Sequence, residues 1–217
     1  MKSKIRLVIF DLDGTLVDAY QAVRQSVNYA LTKNGYPAVS YGVIKRKVGW
    51  GDRNLIAGLV DGKDLDHTLK DYRRHHRQAL KKYAKLLPGA KRILQRLKRG
   101  GYQLAVASNR PSLFSRSLLR QLKIAKYFDC VLCADQVQHP KPHPALLRTI
   151  LKRLSCRRQE AVYVGDMIID VQAGRRAGIK TIAVTTGSSF LSELTAARPG
   201  LVIQRISQLS EVFKTGA

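Results

Sequence analysis

Five short apolar runs, rich in β-branched residues, recur along the chain with helical segments between them. They are Ile5–Phe10, Gln103–Ser108, Cys130–Ala134, Ala161–Gly165 and Thr181–Thr185. Because each run is apolar on both faces, the pattern predicts buried strands of a parallel sheet, with the intervening helices as crossovers. The sequence therefore predicts an α/β fold with a doubly wound, Rossmann-like parallel sheet as its core.

The first two predicted strands are separated by nearly a hundred residues, far more than one crossover requires. Apolar residues at helical spacing predict several helices in and after this gap. The helical segments are Ala19–Asn34, Val43–Val48, Asn54–Val60, a long basic stretch over Asp64–Leu87, and Ala90–Arg99 as the first core helix. We therefore expect a catalytic core of residues 1–17 and 88–217, interrupted by a small all-helical cap domain of residues 18–87.

Two aspartates, Asp11 and Asp13, follow the first predicted strand. Residues two apart on an extended backbone face the same side, so the two carboxylates repel each other, and burial makes both costlier to ionise. A divalent cation relieves that conflict, and oxygen ligands suit Mg²⁺. Gly14 then lets the chain turn away, and Thr15 offers a hydroxyl nearby.

Polar residues also follow the later predicted strands. Ser108 and Asn109 lie at the tip of the second strand, and Lys141 lies among three prolines in the loop after the third. The fourth strand is followed by Asp166 and Asp170, which would lie on one face if a helix begins there. In an open α/β sheet, ligands bind beyond the carboxyl ends of the strands, so the sequence predicts one shared site at this edge.

The chain is strongly basic, with 39 Lys and Arg residues against 15 Asp and Glu and a formal net charge of +24. This charge indicates an anionic partner: nucleic acid, an acidic membrane surface or a small phosphorylated substrate. Residues 19–87 carry +9 of the total, much the same charge per residue as the rest, which disfavours a dedicated nucleic-acid face. No run approaches the ~20 apolar residues of a membrane span, and three cysteines are too few for a disulfide scaffold, so we expect a cytoplasmic protein with no membrane contact.

Two further patterns are interpreted as structural. Cys130 and Cys133 match C-x-x-C, but they lie three apart in a predicted strand, which favours a buried strand over a redox or zinc site. His75 and His76 lie among arginines, which favours a solvated helix face over a metal site.

Taken together, four motifs resemble those of the haloacid dehalogenase superfamily in order and spacing. They are Asp11-Leu-Asp-Gly-Thr-Leu-Val-Asp18, Ser108-Asn109, Lys141-Pro142 and Gly165-Asp166 with Asp170. The resemblance implies that Asp11 is a nucleophile that forms an aspartyl-phosphate, and that Asp13 is the general acid and base. Ser108 and Lys141 would hold the phosphoryl oxygens, with Thr15 and Asn109 as further substrate contacts.

The same resemblance implies a Mg²⁺ cofactor. Its ligands would be Asp11, the backbone carbonyl of Asp13, and Asp166. Asp170 would be either a further ligand or a partner of the ligands, and the sequence leaves this open.

Within the superfamily, Asp13 favours transfer from a phosphate ester, and the helical insertion after the first motif resembles the cap of the phosphoglycolate phosphatase-like group. Val48-Gly49-Trp50-Gly51-Asp52-Arg53 resembles the Gly-x-Gly substrate loop of that cap, with Trp50 in place of the usual Asn. Gly51 and Arg53 are therefore candidate substrate contacts; the alternative is a plain inter-helix turn with an exposed arginine.

The resulting hypothesis is a Mg²⁺-dependent phosphatase that hydrolyses a small phosphomonoester, phosphoglycolate-like or a sugar phosphate, through an aspartyl-phosphate. One alternative is a phosphomutase of the β-phosphoglucomutase type, which uses the same four motifs. The other is a basic protein that binds nucleic acid or polyphosphate and retains only a vestigial hydrolase site. The sequence leaves the individual substrate and the oligomeric state open.

Overall fold

The structure is a computed structural model that describes residues 5–213. Its strands, in chain order, are β1 (Leu7–Phe10), β2 (Val17–Asp18), β3 (Lys85–Leu86), β4 (Gln103–Ser108), β5 (Cys130–Cys133), β6 (Ala161–Gly165), β7 (Lys180–Val184) and β8 (Leu201–Ile203). Six of them form one parallel sheet in the order β5-β4-β1-β6-β7-β8, and β2 pairs with β3 in a separate antiparallel ribbon. The predicted α/β fold class with a parallel sheet is confirmed.

The helices surround this sheet and fill the interval between β2 and β3. In chain order they are α1 (Tyr20–Lys33), α2 (Tyr41–Lys47), α3 (Asp52–Ala57), α4 (Leu65–Tyr83), α5 (Ala90–Arg99), α6 (Ser112–Gln121), α7 (Ala145–Arg153), α8 (Ile168–Ala177), α9 (Leu191–Ala196) and α10 (Leu209–Val212). All five predicted strands are present within one or two residues of their expected bounds. The short strands β2, β3 and β8 were not predicted, because two or three residues carry no recognisable period.

The central strand β1 is buried on both faces, as its apolar sequence requires. Val8 and Phe10 pack against α5 and α6, whereas Leu7 and Ile9 pack on the opposite face against α7 and α8. This alternation follows from the two-residue period of a strand. It also directs the carboxyl end of β1 to the edge where the polar residues gather.

Helices α1 to α4 build a third apolar cluster of their own. Its buried members include Leu31 of α1, Ile44 of α2, Ile56 of α3 and Leu69 of α4. This part also contacts α9, where Arg46 forms a bidentate ion pair with Glu193 at 2.6 and 2.8 Å. The helical insertion is thus packed internally and also docked against the sheet domain.

The cysteines and the helix lengths agree with the sequence interpretation. Cys130 and Cys133 begin and end β5 as free, buried thiols, which confirms the strand interpretation of C-x-x-C. Between Ile5 and Phe213, no helix has both the length and the apolar character needed to cross a bilayer.

Candidate active site

Three buried carboxylates meet at the carboxyl edge of the sheet. Asp11 follows β1, Asp166 follows β6, and Asp170 lies in the first turn of α8; one oxygen of each lies within 4.8 Å of the others. Because α8 begins at Ile168, Asp166 lies before the helix rather than on its face. The predicted convergence therefore occurs through the strand end and the following loop, not through a shared helix face.

Lys141 inserts its ammonium between two of these carboxylates. Its Nζ lies 2.7 Å from Asp11 Oδ1 and 2.8 Å from Asp170 Oδ1, and it also donates to the Tyr163 hydroxyl at 2.9 Å. The Tyr163 hydroxyl in turn donates to Asp170 Oδ1 at 2.7 Å. We call Lys141, Asp11, Asp170 and Tyr163 the lysine network.

Asp170 is fully engaged by protein donors. Besides Lys141 and Tyr163, its other carboxylate oxygen accepts the backbone N–H of Met167 at 3.0 Å. Three donors on one buried carboxylate indicate that Asp170 positions Lys141 and begins α8. This geometry favours the partner role for Asp170 over the direct-ligand role that the sequence left open.

Asp166 is held from two directions. Its carboxylate accepts the Thr15 hydroxyl at 2.9 Å and the backbone N–H of Ser188 at 3.0 Å. Thr15 thus binds and orients Asp166, and the substrate contact that the sequence predicts for it stays a prediction. Gly14 makes this possible, because its φ of +79° turns the chain so tightly that a Cβ would lie 2.6 Å from Asp166 Oδ2.

The carboxylates outnumber the cations in this cluster. Burial raises the pKa of Asp11 to about 7, although Lys141 opposes the rise. Burial and the neighbouring Asp11 likewise raise the pKa of Asp166. For Lys141, burial acts to lower the pKa, but Asp11 and Asp170 outweigh it and the pKa is raised. One ammonium among three buried carboxylates leaves excess negative charge, and an oxygen-only donor set of this kind fits Mg²⁺.

Asp13 is engaged by a different cation, Arg110, which follows β4. Arg110 Nε and Nη2 donate to the two Asp13 carboxylate oxygens at 2.9 and 2.7 Å, which makes a bidentate ion pair. Arg110 Nη1 donates to His76 Nε2 at 2.7 Å. Burial acts to lower the pKa of Arg110, but the Asp13 charge outweighs it and holds the pKa above its usual value.

His76 is fully buried, so the predicted solvated face is wrong for this residue. Its Nδ1 lies 3.1 Å from Ser26 Oγ, and its ring stacks on Tyr72 and meets Phe114 edge-on. Burial, together with the Arg110 charge, holds the pKa of His76 well below 6.5. The ring is neutral and accepts at Nε2, so its proton is on Nδ1. We call Asp13, Arg110, His76 and Ser26 the arginine network.

His75 differs from its neighbour. It is half-buried, its Nδ1 lies 3.2 Å from Ser26 Oγ, and its ring stacks on Tyr29 at 4.4 Å. It makes no contact with Arg110 in the described structure. The two histidines therefore share Ser26 but only His76 reaches the site.

Ser108 and Asn109, at the end of β4, connect the loops that surround the lysine network and the arginine network. Ser108 is buried, and its hydroxyl accepts the backbone N–H of Arg110 at 3.2 Å. The Asn109 side chain exchanges two hydrogen bonds of 2.9 Å with the backbone of Lys141 and donates to the Gly49 carbonyl at 3.0 Å. Asn109, for which the sequence predicts a substrate contact, thus ties the lysine loop to the helical insertion.

A small cavity of about 40 Å³ opens above Asp11 and Asp13, between the sheet edge and the helical insertion. Gly51 is among the residues that line it, and its contact with substrate stays a prediction. Arg53 is not: its guanidinium pairs with the exposed Asp66 at 2.7 Å on the outer side of α4. This position favours the alternative that the sequence left open, an inter-helix turn with an exposed arginine.

Three residues of the site were missed at the sequence level: Arg110, His76 and Tyr163. Arg110 directly follows Ser108 and Asn109, for which the sequence predicts roles in the site. Its position next to them in the chain indicates that it could belong to the site as well. His76 follows Leu69 and Tyr72 at helical spacing, which places it on the apolar face of α4. Tyr163 lies inside an apolar strand, and nothing in the sequence indicates which way its hydroxyl points.

Comparisons with known proteins agree with this geometry. A profile of the haloacid dehalogenase-like hydrolases matches residues 8–184. A phosphoglycolate phosphatase from Vibrio cholerae is 33% identical and covers 100% of both chains. Among solved structures, a Haemophilus somnus protein predicted to be a phosphoglycolate phosphatase superposes with a TM-score of 0.91 at 22% identity, covering 98% of this chain and 99% of its own. A Thermotoga maritima protein assigned to the β-phosphoglucomutases has a TM-score of 0.78 at 25% identity and covers 97% and 99%.

Proposed function

The chain belongs to the haloacid dehalogenase-like hydrolases, in their phosphoglycolate phosphatase-like branch, and from that premise we propose that it hydrolyses a small phosphomonoester with Mg²⁺ through an aspartyl-phosphate. We propose 2-phosphoglycolate as the substrate, on the basis of the names of its relatives. The observation that carries the proposal is the pairing of Asp11 with Lys141 beside a second carboxylate, Asp13, in one cavity.

In the first step, an Asp11 carboxylate oxygen attacks phosphorus, and the bond between phosphorus and the leaving oxygen breaks. Asp13 supplies the proton that the leaving oxygen takes up. Lys141 and Ser108 hold the phosphoryl oxygens, on which negative charge is concentrated. The products of this step are the free alcohol and a phosphoryl group on Asp11.

In the second step, Asp13 takes a proton from water, and the resulting oxygen attacks phosphorus. The bond to Asp11 breaks, which releases inorganic phosphate and restores the carboxylate. Asp13 thus returns to the protonated state needed for the next turnover, so protons balance over the cycle.

Asp11 and Asp166, with the backbone carbonyl of Asp13, would hold Mg²⁺, and Asp170 would hold Lys141 in place. When bound, Mg²⁺ supplies positive charge to the phosphoryl oxygens. The excess of buried carboxylates over ammonium groups supports this assignment. We also propose that residues 18–87 act as the cap that covers the cavity and contacts the leaving group.

Asp11→Asn tests the proposal. The amide is isosteric but a poor nucleophile, so hydrolysis of 4-nitrophenyl phosphate with Mg²⁺ should fall by at least ~10³-fold. Asp129→Asn, on a surface carboxylate paired with Lys98, is the matched control and should retain wild-type turnover. Full activity of Asp11→Asn would refute the assignment.

A further inference from the structure

We propose that a cavity beside α5, which we call the α5 cavity, binds a small anion with two or more phosphoryl groups, an oligophosphate or a nucleoside triphosphate. It has a volume of about 330 Å³ and lies between α5 and the segment 206–212. It shares no residue with the cavity above Asp11 and Asp13. The inference therefore goes beyond the proposed phosphatase activity and does not depend on it.

Three arginines of α5 line this cavity, and no carboxylate does. Arg92, Arg96 and Arg99 are four and three residues apart, so they lie along one face of the helix. At a rise of about 1.5 Å per residue, the helix spreads them over about 10 Å. The lining therefore concentrates positive charge that no acidic residue of the lining balances.

The three guanidiniums have no ion-pair partner among residues 5–213. Where α5 reaches a carboxylate, it does form a pair: Lys98 contacts Asp129 at 2.9 Å. The Nε–H of Arg96 is buried and has no hydrogen-bond acceptor in the described part of the chain, which is destabilising for a charged group. An anion in the cavity would supply that acceptor once the guanidinium turns toward it.

The segment after β8 supplies the second wall of the cavity and a hydroxyl. Ser207 lies so close to Gly89, the residue before α5, that a Cβ on Gly89 would lie 2.9 Å from the Ser207 Cβ. Ile206 and Leu209 are buried in the same core cluster as the apolar face of α5. The Ser210 hydroxyl donates to the Ser207 carbonyl at 2.9 Å, whereas the Ser207 hydroxyl makes no hydrogen bond within residues 5–213. Ser207 therefore adds a free donor beside the three guanidiniums.

A second strongly basic cavity, along α4, has a different charge balance. Its lining includes the carboxylate of Asp66, which already pairs with Arg53 at 2.7 Å. Arg73, also in that lining, pairs with Asp52 at 2.7 Å. These acidic partners occupy donors and oppose the entry of an anion. The α5 cavity is therefore the better match for a ligand with several negative charges.

The number of positive charges indicates the class of anion. A single phosphate group carries only about −1.5 to −2 charges at pH 7, fewer than three guanidiniums can neutralise. A chain of two or three phosphoryl groups matches both the charge and the spread of the arginines, and guanidinium groups suit phosphate oxygens. A nucleic-acid strand needs a longer basic path, whereas the α5 cavity lies along one helix of 10 residues.

Isothermal titration calorimetry of the full chain with sodium tripolyphosphate tests the proposal, at ~0.15 M salt and without Mg²⁺. Without Mg²⁺ the ligand is not chelated, and the carboxylate-rich active site repels anions. We expect a stoichiometry of about one and a dissociation constant at least ~10-fold lower than that of orthophosphate. ATP distinguishes the two sources of the ligand: affinity equal to that of tripolyphosphate indicates recognition of the phosphoryl chain alone, and higher affinity indicates a nucleotide.

Substitution of all three arginines by glutamine (Arg92→Gln, Arg96→Gln and Arg99→Gln together) should weaken tripolyphosphate binding by at least ~100-fold, and Arg96→Gln alone by ~10-fold. Glutamine has nearly the helix propensity of arginine, so α5 should remain folded, and urea unfolding checks this. Arg96→Lys keeps the charge but lacks the planar fork of donors, so its affinity should lie between those of the wild type and Arg96→Gln.

The matched control is the triple variant Lys70→Gln, Arg74→Gln and Arg77→Gln. These three residues are exposed on α4 at the same spacing, and their loss removes the same charge. The control should bind tripolyphosphate within about 3-fold of wild type, because distant surface charges are screened at this salt concentration. If the control weakens binding as much as the α5 variant does, general attraction to a basic protein explains the binding and the inference is overturned.

Two further results would overturn the inference. One is the absence of tripolyphosphate binding to the wild-type protein. The other is tighter binding of a single-stranded DNA of about 15 nucleotides that is lost in the α5 triple variant, because it would place nucleic acid in the cavity. Hydrolysis of 4-nitrophenyl phosphate with Mg²⁺ is a separate readout, which the α5 triple variant should retain. Failure of the phosphatase proposal would therefore leave tripolyphosphate binding unchanged, and the reverse also holds.

Discussion

The lysine and arginine networks lie side by side at the same sheet edge, yet they differ in charge balance and in origin. In the lysine network, with Asp166 beside it, one ammonium faces three buried carboxylates. In the arginine network, one guanidinium faces one carboxylate and a neutral ring. A cluster with more carboxylates than cations favours the binding of a further cation. A pair of equal and opposite charges instead holds its two side chains in one geometry. In the proposed reaction, the lysine network and Asp166 would bind the metal and the phosphoryl group, and the arginine network would position the proton donor.

The largest loss of activity is expected when the Lys141 ammonium is removed from the lysine network. Lys141→Met takes away a phosphoryl contact and leaves Asp11 and Asp170 buried without their cation, so kcat/KM should fall by ~10³-fold or more. The loss should be the same for 2-phosphoglycolate and ethyl phosphate, because the phosphoryl end is common to both.

Lys98→Met provides the control, because Lys98 pairs with Asp129 at 2.9 Å on the surface. It should change kcat/KM by less than about 2-fold. A Lys141→Met defect confined to 2-phosphoglycolate would contradict the division of labour, because it would place leaving-group recognition in the lysine network.

The affinity for Mg²⁺, measured by isothermal titration calorimetry without substrate, tests the same difference between the two networks. Asp166→Asn removes a proposed ligand from the unbalanced cluster and should weaken binding by ~100-fold. Asp13→Asn alters the balanced pair and retains the backbone carbonyl, so Mg²⁺ affinity should stay within about 3-fold of wild type. If the two substitutions weaken Mg²⁺ binding equally, the metal site is not confined to the carboxylate-rich cluster.

The smallest expected effect is a pH dependence of stability that belongs to the arginine network. The pKa of His76 is held well below 6.5 in the folded protein, so on acidification the unfolded chain takes up a proton that the folded chain refuses. The stabilising effect is complete above the unfolded pKa and is lost as the pH falls. Between about pH 7 and about pH 5.5, His76 should lower the free energy of unfolding by about 1.3 kcal/mol.

Urea unfolding at these two pH values gives the measurement. His76→Gln should show a correspondingly smaller decrease on acidification, whereas His75→Gln should retain the wild-type decrease. If the two variants respond alike, the buried neutral ring is not the source of the dependence.

The two networks also differ in how far the sequence predicts them. Asp11, Lys141 and Asp166 were predicted because parallel strands end at one edge of a sheet, so polar residues that follow such strands are brought together whatever the details of packing. That argument needs only the strand pattern. It does not say which protein group each side chain contacts: the Thr15 hydroxyl donates to Asp166, and the Asn109 amide donates to the backbone of Lys141 and Gly49.

His76 could not be placed in this way. Its position depends on how α4 docks against α1 and the sheet domain, and the arginines around it in sequence suggested solvent exposure. The helical period of Leu69, Tyr72 and His76 did point to the apolar face, but an apolar face can be packed against many surfaces. Arg110 as its partner follows only from the tertiary structure.

The two-residue ribbon formed by β2 and β3 has a further consequence, for how such an enzyme can diversify. Val17 lies opposite Leu86 and Asp18 opposite Lys85, so the chain leaves the sheet domain and returns to it through neighbouring positions. Segments of different length can be accommodated between such adjacent ends at a cost that rises only slowly with length. Evolution can therefore exchange the segment that meets the leaving group while the residues that handle phosphorus stay where they are. The ribbon thus separates the part of the chain that can change substrate choice from the part that carries the phosphoryl chemistry.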